Sequence, residues 1–324
     1  MSSASFPGFH LQLGLDGLPQ DLRGGTVAIG NFDGVHRGHK AVLAAARDTA
    51  SHGPVLALTF EPHPRTYFAP QAPLPRLTPP AEKRLLLSRQ GLSGMVELPF
   101  DAELAALSAE DFLTRILVGA LAAHTVVVGW DFHFGKARGG SPTFLAGAGP
   151  RHGFTTTIIP PFGGEQPVSS SAIRTLLSSG DVEGANAMLG HLWFVMGEVV
   201  HGEKIGRTLG YPTANLVLPA ETPLKQGIYA VRVAVDGRVH DAVASFGRRP
   251  QFHQDGPPLL ESFLFDFSGD LYGKTIAVEF VAFLRSEQTF DGVADLVAQM
   301  DRDGERARSI LSVPPDANVP SMIG

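Results

Sequence analysis

The chain has 324 residues, 44% of them apolar, with 26 Lys and Arg against 32 Asp and Glu and a net charge of −6. That length suits two domains, and the acidic balance argues against a nucleic-acid binder, which normally shows a basic face. No run is apolar for long enough to span a bilayer, residues 1–7 lack the pattern of a secretory leader, and without cysteine there are no disulfides, thiolate metal sites or cysteine nucleophile. A soluble cytoplasmic enzyme is the expectation.

Thr26-Val27-Ala28-Ile29 predicts a buried strand, and residues 40–46 predict a helix. Between them lies Gly30-Asn31-Phe32-Asp33-Gly34-Val35-His36-Arg37-Gly38-His39. A strand that turns through glycines into a helix is where α/β proteins bind phosphates, because the helix N-terminus offers unpaired N–H groups and a positive dipole end. Two histidines there can donate to phosphate oxygens, which suggests handling of a nucleoside triphosphate. A plain glycine turn carrying two exposed histidines fits the same spacing.

A second strand, residues 55–60, is stopped by the prolines of Glu61-Pro62-His63-Pro64. A proline-rich loop (70–80), a helix (82–87) and a third strand (95–98) follow. Ser108-Ala109-Glu110-Asp111 opens a helix with a serine cap and an acidic first turn. Residues 125–129 and 155–159 are the fourth and fifth strands. Strands separated by helices imply a parallel sheet with ligands at the strands' C-terminal ends. After helices near 172–177 and 182–189 come short strand-like runs at 194–196, 198–200, 229–233, 242–245, 259–265 and 276–284. Turn signals such as Asp236-Gly237 separate them, so a small antiparallel barrel is expected. A last helix spans 292–303, and a loose tail starts at about 313. The expected domains are residues 1–186 and 187–324.

Two familiar phosphate motifs are missing. Tyr272-Gly273-Lys274-Thr275 resembles the end of a P-loop, but Gly269 is one residue too close. Gly147-Ala148-Gly149 has His152 where a dinucleotide fingerprint needs a third glycine. Four loops at strand ends remain: the histidine loop, Phe60-Glu61-Pro62-His63-Pro64-Arg65, residues 129–139 around Asp131, and Val168-Ser169-Ser170-Ser171-Ala172-Ile173-Arg174. Helix capping accounts for one serine of the last loop. Successive serines with Arg174 just inside the helix suggest a polyphosphate site.

These loops resemble the adenylyltransferase module of the bacterial bifunctional riboflavin kinase/FAD synthetase family. The first matches that family's Gly-x-Phe-Asp-Gly-Val-His-x-Gly-His throughout, and Phe-Glu-Pro-His-Pro is present. The Asp-Phe-x-Phe-Gly loop stands at residues 131–135, with His133 where arginine is commoner. Ser-Ser-Thr-x-Ile-Arg stands at 169–174, with Ser171 for threonine. The resemblance implies a Rossmann-like α/β nucleotidyltransferase domain in which FMN phosphate attacks the α-phosphorus of ATP. His36 and His39 would bind the α-phosphate oxygens, and Arg174, Ser169 and Ser170 the leaving phosphates. Gly30, Asn31, Phe32, Asp33 and Asp131 would contact the nucleotide, although a turn role also accounts for Asp131. Phe60, Pro62 and His63 would face the flavin.

The second half carries residues 197–215, dense in glycine and ending Gly206-Arg207-Thr208-Leu209-Gly210-Tyr211-Pro212-Thr213-Ala214-Asn215. A long barrel loop with structural glycines is one reading. Long loops in compact domains are usually functional, however, and glycine N–H groups approach phosphates closely. Thr213 and Asn215 offer neutral oxygens suited to Mg²⁺. Glu261 lies in an otherwise apolar strand and alternates with Leu259 and Phe263. That suggests a buried carboxylate acting as a base, against the alternative of an outward-facing edge residue. This half resembles the riboflavin kinase module of the same family. The resemblance makes Glu261 the acceptor of riboflavin's ribityl hydroxyl proton, assigns Gly202, Gly206, Arg207 and Gly210 to ATP phosphates, and has Thr213 and Asn215 position Mg²⁺-ATP. Ser245 and Gln251 depart from its Asn-Ile-Gly-x-x-Pro-Thr-Phe segment, and His191 stands where arginine is common.

The expected enzyme converts riboflavin to FMN and FMN to FAD, using ATP with Mg²⁺. Its partners would be small molecules, with flavin-requiring apoproteins as recipients and neither nucleic acid nor membrane. A riboflavin kinase with an inactive first domain, and an adenylyltransferase with a non-catalytic flavin-binding barrel, are the alternatives.

Overall fold

The computed structural model describes residues 8–164, 167–201, 212–248, 257–314 and 316–323. It divides into two compact units, one reaching to Leu74 and resuming at Thr78–Ser169, the other made of Pro75–Leu77 and the chain from Ser170 onward.

The first unit is built on a six-stranded sheet in the order β1-β4-β3-β2-β5-β6, where β1 is His10–Leu13, β2 Thr26–Ile29, β3 Val55–Glu61, β4 Gly94–Pro99, β5 Thr125–Gly129 and β6 Thr155–Ile159. Every pairing is parallel. The inner strands are buried on both faces, as covered parallel sheets require. Val27, Ile29, Leu56, Leu58, Val126 and Val128 pack with Phe112, Leu113 and Leu117 of a π-helical stretch, Phe112–Ala120. Helix α1, Arg37–Thr49, buries Val42, Leu43 and Ala46 and packs against β2 and β5. The unit's other α-helices are α2, Pro64–Phe68, α3, Pro80–Ser88, α4, Ala102–Ala106, α5, Ala109–Asp111, and α6, Pro142–His152. From β2 the chain moves to β3 and β4 on one side, then returns to β5 and β6 on the other. The loop after β2 therefore opens at the point where strand order reverses, the usual ligand crevice of such sheets.

Strand β1 was not anticipated. Four residues of mixed exposure on a sheet edge give too little pattern to distinguish from a loop.

The second unit holds helices α7 (Ser170–Ser179) and α8 (Val182–Leu189) and a six-stranded antiparallel sheet in the order β7-β12-β9-β10-β11-β8. Its strands are β7 Phe194–Glu198, β8 Ala214–Val217, β9 Gly227–Val235, β10 Arg238–Gly247, β11 Leu259–Leu264 and β12 Thr275–Arg285. A bridge between Val200 and Asn215 joins the two ends, so the sheet curls into a nearly closed barrel. Leu260, Ser262 and Leu264 of β11 are buried, while Leu259, Glu261 and Phe263 alternate onto the other, half-buried face. Across that face lies the C-terminal helix α9, Val293–Leu311. It packs Ala307 and Leu311 against Ala230 and Ala282, with Val243 and Phe263 at the margin.

Helix α9 runs eight residues beyond the expected end at Asp303, straight through Gly304. A mid-helix glycine costs about 1 kcal/mol. The burial of Ala307 and Leu311, and the ion pair of Asp303 with Arg285 at 2.7 Å, offset that.

The segment expected as a loose tail is anchored. Met322 is buried and donates its N–H to Glu279 Oε1, and Leu192 N donates to Pro320 O at 3.2 Å. Asn186 in α8 is buried with both ends of its amide engaged: Nδ2 donates to Phe280 O at 2.9 Å, and Oδ1 accepts from Trp193 N at 2.7 Å. Truncating Asn186 to alanine leaves two buried backbone groups unpaired, at about 1–3 kcal/mol each. Asn186→Ala should lower the urea midpoint of the second unit's unfolding accordingly, and an unchanged midpoint would show that α8 is not part of this fold.

Candidate active sites

The first site grows from the end of β2. Phe32 and Val35 adopt left-handed φ angles of 50° and 38°. Such angles are strained for bulky side chains and persist only where the surroundings fix them. Both side chains are buried, at 1% and 0% exposure. Asp33 Oδ1 accepts from Thr78 N at 3.0 Å and from Thr78 Oγ1 at 3.3 Å, and Thr78 Oγ1 accepts from Gly34 N at 2.9 Å. Asp33 is therefore a buried strut of the loop, and its carboxylate is turned to Thr78.

His36 is the N-cap of α1, its Nδ1 accepting from His39 N at 3.3 Å. A neutral imidazole whose Nδ1 accepts carries its proton on Nε2, so the cap sets the tautomer and leaves an N–H donor on the other edge. Gly38 makes room for this ring, since a Cβ there would lie 3.1 Å from His36 Cε1. The same Cβ would lie 3.7 Å from Val168 O, which puts the approach to Ser169 beside the histidine loop. His39 stacks on His36 with centroids 3.7 Å apart and planes 15° apart, and Phe32 meets it edge-on at 5.4 Å. His39 Nδ1 is buried without a hydrogen-bond partner among the described residues. Burial, and then the nearby His36 and His63, hold His39 well below its ordinary pKa, so it is neutral at pH 7. Lys40 is pushed down to about 8 by burial and by Arg37.

His63, at the end of β3, repeats the device, with its Nδ1 accepting from Arg65 N at 3.1 Å as the cap of α2, Pro64–Phe68. Phe60 is buried and meets Phe100 at 6.1 Å. Phe100 in turn meets Tyr67 at 5.3 Å and Phe68 at 5.7 Å. Phe68 is 68% exposed, an open aromatic surface at the C-terminal ends of β3 and β4. The sequence reading missed this cluster, because Phe100 comes from a different loop than Tyr67 and Phe68. Asp131 is exposed on a tight turn closed by Phe132 N to Gly129 O at 3.1 Å, and its carbonyl accepts from His133 Nδ1 at 2.9 Å. Gly30 and Asn31 lie half-buried at the start of the histidine loop. Ser169 belongs to the first unit, whereas Ser170 and Arg174 belong to the second, where Arg174 Nε donates to Pro75 O at 2.5 Å.

The second site is set by strand register. Asn215 on β8 faces Glu261 on β11, which faces Ser245 on β10. Partners in register share a face. These three side chains therefore stand abreast on the barrel's outer face, and Ser245 is a direct neighbour of Glu261. Asn215 is buried, its Nδ2 reaches Thr213 O at 3.4 Å, and its Oδ1 has no partner among the described residues. Glu261 is half-buried, not the fully buried carboxylate its apolar neighbours suggested, because those neighbours divide between two faces. Glu287, just past β12, was not singled out from the sequence. Burial pushes its carboxyl up, Arg285 opposes this, and Glu261 adds to it. Its Oε1 lies 2.0 Å from where a Cβ at Gly247 would stand, so a larger residue there would push the Glu287 carboxylate aside. Gly202, Gly206, Arg207, Gly210 and Gln251 lie outside the described residues. His191 is buried.

A family model described as FAD synthetase matches residues 18–172, and one described as riboflavin kinase matches residues 189–311. A Pseudomonas fluorescens protein named bifunctional riboflavin kinase/FMN adenylyltransferase is 39% identical over 313 residues, covering 94% of this chain and 98% of its own. Proteins of the same name from Escherichia coli K12 and Haemophilus influenzae are 38% and 36% identical, over 93% and 92% of this chain. A crystal structure titled macrolide-efflux protein from Streptococcus pneumoniae shares the fold, with a TM-score of 0.80 and 30% identity over 93% of this chain and 99% of its own. No helix among the described residues is long and apolar enough to cross a membrane.

A parallel-sheet nucleotidyltransferase joined to a kinase barrel defines a two-activity enzyme of flavin nucleotide synthesis. The chain belongs to the bifunctional riboflavin kinase/FMN adenylyltransferase family. It phosphorylates riboflavin to FMN and adenylylates FMN to FAD, which sets aside both single-activity alternatives.

The lowered pKa of His39 has a consequence for stability. In the unfolded chain the ring takes a proton near pH 6.5, whereas in the folded chain it resists. Below 6.5 the unfolded state binds more protons, so stability falls with pH, by at most about 1.4 kcal/mol per unit for one group, until the folded ring also protonates. Urea midpoints at pH 7.5, 6.5 and 5.5 should show a shallower decline in His39→Gln than in the parent. Parallel curves would show that His39 is not held neutral.

Proposed function

We propose that the histidine loop performs adenylyl transfer. An FMN phosphate oxygen bonds to the α-phosphorus of ATP, the bond from that phosphorus to the bridging oxygen breaks, and pyrophosphate leaves. The attacking oxygen is already anionic, so no base is needed. Charge grows on the α-phosphate oxygens, and donors already aimed at them stabilise it. His36 supplies Nε2–H, fixed by its cap. His39, neutral in the free protein, gains a proton more readily as phosphate charge arrives. Ser169, Ser170 and Arg174 are proposed contacts of the β- and γ-phosphates on the sequence motif alone. Gly30, Asn31 and Asp131 contact the nucleotide, and Phe32 and Asp33 hold the loop's shape. Phe60, Pro62 and His63 take the flavin side, and the open ring of Phe68 gives the isoalloxazine a stacking surface.

In the barrel, Glu261 takes the proton of riboflavin's terminal hydroxyl as its oxygen bonds to the γ-phosphorus and ADP leaves. The observation that carries this reading is the register of Glu261 beside Asn215, whose buried Oδ1 lacks a partner among the described residues. A buried neutral oxygen next to a carboxylate suits a hard cation, so Thr213 and Asn215 are the residues that would hold Mg²⁺ with ATP. When bound, the ion neutralises charge on the phosphates. Gly202, Gly206, Arg207 and Gly210 are proposed phosphate contacts on the signature alone. The functional boundary is placed near Asn186. We place the enzyme in the cytoplasm, where ATP serves both reactions, with flavin-requiring apoproteins receiving the product.

Two substitutions in one assay test this. Glu261→Gln should slow riboflavin phosphorylation about 10²–10⁴-fold and leave adenylylation of supplied FMN unchanged. His39→Ala should cut FAD formation about 10²–10³-fold and leave FMN formation unchanged. Product-resolved single-turnover kinetics would read both, and equal loss of the two activities in either folded variant would contradict the assignment.

A further inference from the structure

Lys83 lies in helix α3, Pro80–Ser88, with its side chain fully buried. Removing an ammonium from water costs several kcal/mol, and an apolar side chain of similar volume usually fills such a space at less cost. None of the chemistry proposed above uses Lys83. What it contacts accounts for its charge. Nζ donates to Glu61 Oε2 at 2.9 Å, to Phe60 O at 3.2 Å and to Thr59 Oγ1 at 3.3 Å. An ammonium has three protons and no lone pair, so these acceptors fix its orientation. Thr59, itself fully buried, accepts from Lys83 and donates onward to Asn31 O at 3.2 Å. The direction of each bond is therefore set along a chain from Lys83 through Thr59 to Asn31.

That chain joins the two loops that must meet. Asn31 begins the histidine loop, and Phe60 and Glu61 lead directly into Pro62 and His63. The residues just before α3 clamp the same loop a second time, through Thr78 and Asp33. Transfer between two bound substrates requires the attacking oxygen near 3–3.5 Å from phosphorus and in line, and a misplacement of 1 Å can cost about 10²-fold. We infer that Lys83, acting through Thr59, is a positioning residue for FMN adenylylation, fixing the spacing between the loop that holds ATP and the loop that holds FMN. This rests on the assignment of those loops to adenylyl transfer.

Thr59→Val exchanges hydroxyl for methyl at nearly equal volume, breaking the link to Asn31 while keeping the Lys83–Glu61 pair. Thr59→Ser keeps the hydroxyl. Lys83→Met combined with Glu61→Gln removes both charges together, so neither is left buried alone. In FMN adenylylation, Thr59→Val and the Lys83→Met/Glu61→Gln double variant should each lose about 10–100-fold in kcat, with KM for ATP within about twofold of the parent. Thr59→Ser should restore most of the rate. The double variant should melt no lower than the parent, and riboflavin phosphorylation should be unchanged throughout. Parent kcat in Thr59→Val, or a loss in Thr59→Ser as large as in Thr59→Val, would overturn the inference. His39→Ala is assayed in parallel. If it still makes FAD, the site assignment fails, whereas an inactive His39→Ala beside a fully active Thr59→Val removes only the role of Lys83.

Discussion

A histidine that caps a helix through Nδ1 has one place left for its proton, and most of the first site follows from that constraint. The N–H of His39 needs an acceptor because it lies in the first turn of α1, where no carbonyl precedes it. His36 supplies the acceptor, and Nε2–H is left as a donor. A local folding requirement thus sets the tautomer of a histidine proposed to meet phosphate. His63 does the same at α2. His39, stacked on His36 and inside the protein, is kept neutral by burial first and then by the nearby His36 and His63. Strain at Phe32 and Val35 is the cost of bringing a helix start this close to a strand end, and the Asp33–Thr78 bonds hold it.

The barrel solves a different problem by different means. Its site depends on register: a slip of one residue in β11 would turn Glu261 away from Asn215 and bury it among the side chains of the interior. The ladder of β10, β11 and β8 fixes that register, and α9 closes over the adjoining row at Val243 and Phe263. The first reaction needs donors around growing charge and no base. The second needs a base and an oxygen-rich cradle. The histidines proposed for the first reaction lie in the first unit and the carboxylate proposed for the second lies in the barrel.

Much of this was legible in the sequence. Buried strands such as Val126-Val127-Val128 declare themselves by composition, and the histidine loop declares itself by glycines at a strand-to-helix turn. What escaped depended on contacts distant along the chain. Thr78 supports Asp33 from 45 residues away, and Lys83 reaches back to residues 59–61. Gly304 reads as a helix stop until the barrel face that buries Ala307 and Leu311 is known. Local pattern carries no information about Met322, which is held by a carboxylate on β12. Glu261 was identified correctly as sharing a face with Leu259 and Phe263, but that face is the half-buried one, which only the closed barrel reveals.

The dependence of the first site on its capped histidines can be observed directly. Nitrogen-15 correlation spectra of histidine-labelled protein, recorded at pH 7.5 with and without a non-hydrolysable ATP analogue, report which ring nitrogen of His36, His39 and His63 carries the proton. The structure predicts Nε2–H on His36 and His63 in the free protein and a neutral His39; with the nucleotide bound, the proposed site has the His39 resonances move towards the protonated form and the His36 Nε2 resonance shift while its Nδ1 stays unprotonated. A proton on Nδ1 of His36, or histidine resonances that ignore the nucleotide, would contradict the account.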